Sequence, residues 1–309
     1  MVEAAVVLLR LLQYTGAMIL LGSSLFFAYV LPRSGGGSVA GLPWARSGLM
    51  AAGVLLALTS LLQIAAQSIQ LSGTVSEGLK FETLAAVVSY MPQGKAAVVR
   101  AVAATAAVLA LVLLRPGRAR FVTAAGFGTI AAASLAWMGH AAATEGSLGR
   151  VHLLSDLLHV LAAAVWIGAL AGFLGLLFAG PKTSEARANL HAALARFAGI
   201  GSAVVAVLIL TGAVNSWILV GPDRLDSLWT TSYGRLLSLK VLLFVAMLGL
   251  AASNRYRLTP ALGRSLGSRI GSDTESAALR RSIAVETAFG IAVLLLVAWF
   301  GTLAPPATV

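Results

Sequence analysis

The chain of 309 residues contains no cysteine. This absence excludes disulfide bonds, thiolate metal sites and cysteine-ligated iron–sulfur clusters. Charge is also scarce, since charged residues make up 11% of the chain and hydrophobic residues 59%. The net charge is +11, but the basic residues lie in short segments between apolar runs. That placement is typical of orientation signals in a membrane protein and predicts no nucleic-acid partner.

Long apolar runs dominate the chain. A run of ~20 apolar residues crosses the ~30 Å hydrocarbon core of a bilayer as a helix, and a helical bundle satisfies its own backbone hydrogen bonds. We therefore predict an all-α integral membrane protein in a lipid bilayer, with about eight transmembrane helices. The first run is too long to be the apolar part of a cleavable signal peptide. The predicted spans are 6–31, 46–70, 95–115, 120–140, 152–179, 197–220, 235–254 and 282–303.

The basic residues alternate in density between successive loops. One set contains Arg33, Arg46, Arg115, Arg118, Arg120, Lys182, Arg187, Arg196, Arg255, Arg257, Arg264, Arg269, Arg280 and Arg281. The other contains Lys80, Lys95, Arg100, Arg150, Arg224 and Arg235, diluted by Glu77, Glu82, Glu145, Asp223 and Asp226. The positive-inside rule places the first set in the cytoplasm. Both termini are then predicted to lie outside, in the periplasm.

The two halves of the chain resemble each other. RLLQY, which begins at Arg10, aligns with DLLHV, which begins at Asp156, and the same alignment places Gly22 on Gly168. AWMGH in the first half matches AWFGT in the second, and SYMPQGK resembles SYGR. SYMPQGK is followed by the basic residue Arg100, and SYGR is followed by Lys240. We predict two parallel four-helix repeats, residues 1–146 and 147–309, with a site near their interface.

Polar residues gather about a third of the way in from the predicted outer face. Such groups should face the bundle or a wet cavity, because exposure to lipid is costly. The inner half is almost entirely apolar apart from Asn254 and Glu286, and we expect Glu286 to pair with a base such as Arg255. The predicted vestibule residues are Arg10, Gln13, Gln63, Gln67, Gln70, Asn215 and Lys240, with Trp166 in the same helix as the histidines.

Three of the four histidines lie near the start of the fifth span. Asp156 lies about 40° round the helix from His152, and His159 about 20° in the other direction, so one face carries all three. His140 ends the preceding span, and Met138 adds a thioether sulfur if it turns inward. Imidazole with carboxylate or thioether suits copper, and less selectively zinc or nickel.

Each of these residues also has a structural interpretation. His140 and His152 could be interfacial side chains in a wet loop. Asp156 could neutralise Lys240 or Arg10 instead of binding a metal. Those two bases would repel a cation, so either they are neutralised or the ligand has an anionic part.

Several stretches resemble the CopD copper-resistance membrane proteins. They are HLLSDLLHVLAAAVWIGAL from His152, TGAVNSW from Thr211, TSYGRLLSLK from Thr231, NRYRLTPAL from Asn254, LRRSIAVE from Leu279 and GTLAPP from Gly301. The resemblance implies a bacterial inner-membrane protein of copper homeostasis whose motif residues are His152, Asp156 and His159. It also implies a periplasmic CopC-like partner, here a separate chain. Gln13 departs from the family, which often has a histidine near this point, and this weakens a second metal site in the first repeat.

Three functions remain open at this level. The leading hypothesis is copper import through the vestibule, by a protein that is not an enzyme. The second is electron transfer through a b-type haem held by paired histidines, with Arg10 and Lys240 binding its propionates. The third is a membrane dock for a CopC-like protein, without transport.

Overall fold

The computed structural model describes residues 2–30, 43–144, 146–179, 183–266 and 269–308. Throughout these residues the regular elements are helices, which confirms the all-α prediction. Eight of them are long and apolar enough to cross a membrane. We label these α1 to α8: Ala4–Val30, Pro43–Ser72, Pro92–Leu113, Arg118–Met138, Gly146–Ala179, Ser184–Val220, Ser232–Ser265 and Asp273–Phe300. Leu31, Arg33, Glu145 and Lys182, on which parts of the sequence predictions rest, lie outside the described residues.

Several helices extend beyond their predicted limits. α5 begins at Gly146 and α6 at Ser184, before the apolar runs from which they were predicted. The start of α6 is capped by Thr183, whose side chain accepts a hydrogen bond from the backbone N–H of Ala186 at 3.1 Å. Such a cap satisfies one of the free N–H groups of the first turn. A polar first turn can therefore continue a helix past the apolar segment.

Three spans depart from regular α geometry. α1 contains two π-helical turns, Ile19–Ser23 and Phe26–Val30, and α7 contains one at Asn254–Leu258. α4 tightens into a 3₁₀-helix at Ser134–Met138 before it ends. Because π-helical turns are uncommon and frequently occur at functional sites, the turn in α7 directs attention to Asn254.

Short helices lie between the spans and after the last one. Val75–Gly78 and Phe81–Tyr90 connect α2 to α3, and the 3₁₀-helix His140–Ala143 connects α4 to α5. Pro222–Arg224 and Ser227–Thr230 connect α6 to α7, and Pro306–Thr308 follows α8. All of these connections lie on the side of the bundle that the charge pattern assigns to the periplasm.

The spans pack as two groups joined at the centre. In the first group α2 packs against α1 and α3, and α3 packs against α4; in the second, α5 packs against α6 and α8, and α7 against α8. α6 meets the Asn254–Ser265 end of α7. The groups are joined where α1 contacts α5 and α8, and where α4 contacts α5.

The crossing of α1 and α5 is unusually close. A Cβ added to Gly168 would lie 2.4 Å from the Cα of Gly22, and one added to Gly22 would lie 1.8 Å from the carbonyl oxygen of Ala164. The hydroxyl of Ser23 donates to the carbonyl of Gly168 at 2.8 Å. Glycines permit this approach in membrane bundles. The repeat alignment made Gly22 and Gly168 equivalent, and helices related by a two-fold axis cross at equivalent residues; the division into repeats stays a prediction.

Candidate functional site

His159 on α5 is held by a threonine from α6. The hydroxyl of Thr211 donates to the carbonyl of Val207 at 2.6 Å and lies 2.9 Å from Nδ1 of His159. Since a hydroxyl has a single proton to donate, Thr211 accepts from Nδ1–H of His159. The lone pair of the neutral imidazole is then on Nε2. Metal-ligating histidines are commonly oriented in this way, by a hydrogen bond from the ring nitrogen that does not bind the metal.

His152, near the start of the same helix, has a similar arrangement. Its Nδ1 lies 2.8 Å from the hydroxyl of Thr144, which in turn donates to the carbonyl of His140 at 3.3 Å. This network favours Nδ1–H on His152 and leaves its Nε2 lone pair free. The His152 side chain is buried, and these hydrogen bonds favour the proton on Nδ1 and the lone pair on Nε2 in both imidazoles of α5.

Asp156 lies between these histidines and faces α6 and α7. One carboxylate oxygen accepts a hydrogen bond from the side-chain amide of Asn215 at 3.4 Å. The amide oxygen of Asn215 is buried without a hydrogen-bond partner. Lys240 on α7 interacts electrostatically with both Asp156 and His159, and its ammonium lies 5.6 Å from the ring centre of Phe300.

In the part of the chain that the structure describes, Asp156 forms no direct ion pair with Lys240 or Arg10, the two bases that it could neutralise. Among the described residues, the ion pairs within 4.0 Å are Lys80–Glu77 and Arg187–Asp273. Neither Lys240 nor Arg10 belongs to one, and Nε of Arg10 is buried without a partner. The charge of Lys240 therefore acts on Asp156 and His159 without an ion pair, and the charge of Arg10 acts on His140.

His140 occupies the outermost part of the cluster. Its ring lies against Tyr233, with the ring centres 6.2 Å apart, and its Nε2 is buried without a hydrogen-bond partner. Burial lowers the pKa of His140 below its ordinary value and the positive charge of Arg10 lowers it further, while the nearby carbonyls of Leu303 and Phe300 act in the opposite direction. The His140 imidazole is accordingly neutral at neutral pH.

The histidines and Asp156 do not converge on one point. The described residues hold no group of three or more His, Cys, Asp or Glu side chains arranged to bind a single metal ion. Seven residues separate His152 from His159, which is about 10 Å at about 1.5 Å per residue. We call His140 with His152 the outer level and Asp156 with His159 the inner level; that either pair binds a metal stays a prediction.

Met138, Trp166 and Gln70 lie outside these two levels. Met138 is buried in the main hydrophobic core, because α4 turns its last residues inward as a 3₁₀-helix. Trp166 is about two turns further along α5 than His159 and donates to Glu286. Gln70 is exposed on the surface of α2, whereas Gln63 and Gln67 on the same helix are buried.

Arg100 is the polar residue that the sequence interpretation misplaced. It was counted among outer-loop charges, but it lies within α3 and is fully buried. Its guanidinium donates to the side-chain oxygen of Gln13 and, at 3.1 and 3.0 Å, to the hydroxyl and carbonyl of Ser134. The signal was present in the repeat alignment, which made Arg100 equivalent to Lys240 and Gln13 equivalent to His159.

Gln13 and the buried glutamines of α2 thus belong to the first group of helices. The amide of Gln13 donates to the carbonyl of Thr59 at 3.2 Å, and Gln67 donates to Gln93 at 2.7 Å. These contacts join α1, α2 and α3. They are interhelical hydrogen bonds and occupy the position where a second metal site would lie.

The expected pairing of Glu286 with Arg255 is wrong. Glu286 is buried and accepts hydrogen bonds from Trp166 and Asn254. Arg255 instead donates to the carbonyl of Ala198 and to Ser202 on α6. The side chain of Arg255 follows the π-helical turn away from α8, so the carboxyl group is left with neutral donors.

The b-type haem gains no support from this geometry. His152 and His159 project from one face of a single helix about 10 Å apart along its axis. Axial ligands lie on opposite sides of the haem iron, an arrangement that two imidazoles from one helix face do not present. The pair of His140 with His159 is not tested by this spacing, and the haem stays an alternative prediction.

Comparison with known proteins shows where this arrangement belongs. The family model described as copper resistance protein D matches residues 191–300, and the model described as copper resistance protein D-like, N-terminal domain, matches residues 1–150. The chain is also 34% identical over 300 residues to copper resistance protein D of Pseudomonas syringae pv. tomato, covering 96% of this chain and 95% of the relative. The chain belongs to the copper resistance protein D family.

Two further relatives match about half of the chain. The inner membrane protein YebZ of Escherichia coli (strain K12) is 31% identical over 176 residues, which is 55% of each chain. The copper transport protein CutJ of Bacillus subtilis (strain 168) is 31% identical over 171 residues, which is 55% of this chain and 28% of CutJ. No solved structure matches the chain significantly. With eight apolar helices and these relatives, the chain is a multi-pass inner membrane protein with a role in copper handling.

Proposed function

We propose that this CopD-family chain imports copper across the inner membrane through the two-level vestibule, as a transporter and not as an enzyme. The observation that carries the proposal is the hydrogen bond from Nδ1 of His159 to Thr211, which leaves Nε2 available to a metal. Imidazole nitrogen with a nearby carboxylate is a ligand set suited to copper.

Copper would enter at the outer level and move inward along α5. His140 and His152 would receive it, and Asp156 and His159 would bind it next. The step is about 10 Å, so the two levels would act in sequence. Inward release would require the apolar inner half to open, as in alternating access between two repeats.

A separate periplasmic CopC-like chain would supply the copper. With both termini outside, the connections between α2 and α3 and between α6 and α7 would form the receiving surface. These connections carry the carboxylates Glu77, Glu82, Asp223 and Asp226. Carboxylates at this surface would raise the local concentration of a metal cation.

Replacement of His159 tests the proposal in cells that lack other copper importers. Cellular copper, measured by mass spectrometry, should fall to the level of cells without the protein in the His159→Ala variant. His191→Ala is the matched control, because His191 lies on α6 far along the sequence from the vestibule, in a basic segment. Wild-type accumulation in the His159→Ala variant would contradict the proposed function.

A further inference from the structure

Glu286 is a buried ionisable group that belongs to neither level of the vestibule. Its side chain is 2% exposed, and it lies in the half of the bundle that is otherwise apolar. One carboxyl oxygen accepts from Nε1–H of Trp166 at 2.8 Å, and the other from the side-chain amide of Asn254 at 2.9 Å. The carboxyl group thereby links α5, α7 and α8.

No charged side chain of the described residues faces this carboxyl group. α5 carries no charged residue after Asp156, and the described part of α1 carries none after Arg10. On α7, Lys240 acts on Asp156 and His159, while Arg255 is bonded to α6. On α8 itself, Arg280 lies 5.9 Å from the ring centre of Phe178. Neither Arg281 on α8 nor Arg257 and Arg264 on α7 acts electrostatically on Glu286. An ionised carboxylate without a counter-charge is expensive at this depth and marks a functional group.

The hydrogen-bond partners of Glu286 can accommodate both of its protonation states. Trp166 can only donate, so the oxygen that it contacts accepts in either state. Asn254 has an amide oxygen that is buried and unpartnered. If the amide turns over, this oxygen accepts from a protonated Glu286 in place of the N–H that now donates to the carboxylate. The pair therefore keeps a hydrogen bond whether or not Glu286 carries a proton.

Glu286 is close enough to the vestibule to respond to a cation there. Trp166 follows His159 by seven residues on α5, a rise of roughly 10 Å. By the rise of about 1.5 Å per residue, a copper ion held by Asp156 and His159 would lie about 10–15 Å from the level of Trp166. Charges separated by about that distance inside a protein interact strongly enough to change an affinity by on the order of tenfold. A copper ion at the inner level would stabilise the ionised form of Glu286.

We propose that Glu286 is a proton-binding site linked to copper: it holds a proton while the vestibule is empty and releases that proton to water when copper occupies Asp156 and His159. The inference rests on the proposed function and adds the proton as the coupled ion. By reciprocity, a proton on Glu286 weakens copper binding by the same factor by which copper weakens proton binding. Copper and proton would therefore exchange during transport.

The test is the number of protons released when cuprous or cupric ion binds to the purified full-length protein in weak buffer near neutral pH. The wild type should release close to one proton more per copper than Glu286→Gln, and the copper affinity of the variant should depend less steeply on pH. Glu275→Gln, which removes a half-buried carboxylate near the start of the same helix, is the matched control and should behave as the wild type. Equal proton release by the wild type and Glu286→Gln would overturn the inference.

Infrared spectroscopy of the wild type provides a second measurement that does not depend on the variant folding normally. Copper binding should reduce the C=O stretching band of protonated carboxyl groups, and an unchanged band would overturn the inference. If copper binds without any linked proton, the linkage fails while the proposed function stands. If the wild type binds no copper at all, the proposed function fails and the inference fails with it.

Discussion

At the scale of single residues, we expect Thr211 to control the copper affinity of His159. Its hydroxyl accepts from Nδ1–H of His159, and loss of such an outer partner typically costs about 10–100-fold in metal affinity. Thr211→Val should weaken copper binding by about that factor in a competition titration, because the imidazole loses its orientation and its fixed tautomer. Thr211→Ser, which keeps the hydroxyl, should remain near the wild type. Equal affinity in Thr211→Val would show that the hydrogen bond does not orient a ligand.

Arg10 should control the protonation of His140. Burial and the charge of Arg10 lower the pKa of His140, so the folded protein holds this ring neutral while the unfolded chain, with an ordinary pKa of about 6.5, takes up a proton as the pH falls. The contribution of His140 to stability is therefore present above that pH and decreases below it. In Arg10→Gln, the NMR titration of His140, assigned with His140→Gln, should move to higher pH than in the wild type. An unchanged or lower midpoint would contradict the assignment of this effect to Arg10.

The sequence predicted the ligand types at the vestibule but not how they are arranged. His152, Asp156 and His159 could be placed on one face because helical spacing is fixed by local geometry. Thr144 and Thr211 could not be chosen as their partners, since α-helical spacing says nothing about which residues of another element meet that face. Arg100 was misplaced for the same reason: its partners Gln13 and Ser134 come from α1 and α4.

The crossing of α1 and α5 can be tested at the scale of whole helices. In Gly168→Ala the new Cβ would meet backbone atoms of Gly22 and Ser23 at 2.4 Å, so the helices must separate. Overpacking of this kind typically costs about 1–3 kcal/mol, and backbone contacts place this site at the upper end. The unfolding temperature, followed by size-exclusion chromatography after heating, should fall clearly. Gly126→Ala on α4, with no atom within 4 Å of the new Cβ, should leave it unchanged or slightly higher; equal effects of both changes would contradict the close crossing.

The existence of all eight spans followed from hydropathy, because the cost of placing polar backbone or side chains in lipid is large and general. Their ends did not follow, since caps such as Thr183 extend a helix beyond its apolar run. The π-helical turn at Asn254–Leu258 was also not visible. It directs Asn254 towards Glu286 and Arg255 towards α6, which is why a pairing based on their position on the same side of the membrane was wrong.

Across the whole molecule, the polar residues of the two groups of helices make different contacts. In the first group of helices, Arg100 and Gln13 bind each other and neighbouring backbone. At the equivalent place in the second group, His159 and Lys240 make no hydrogen bond to each other among the described residues, and Nε2 of His159 remains available. With the predicted division into two repeats, this asymmetry would leave a single vestibule, in the second. A copper path in this account therefore runs through the second group, between α5, α6 and α7.

Copper uptake into vesicles that contain only the purified protein tests this path most directly. A copper indicator inside the vesicles should report faster entry with the wild type and with His191→Ala than in protein-free vesicles. Entry with His159→Ala and with Asp156→Asn should fall to the protein-free rate. Equal rates for the wild type and both vestibule variants, or a wild-type rate no higher than that of protein-free vesicles, would contradict copper transport through the vestibule.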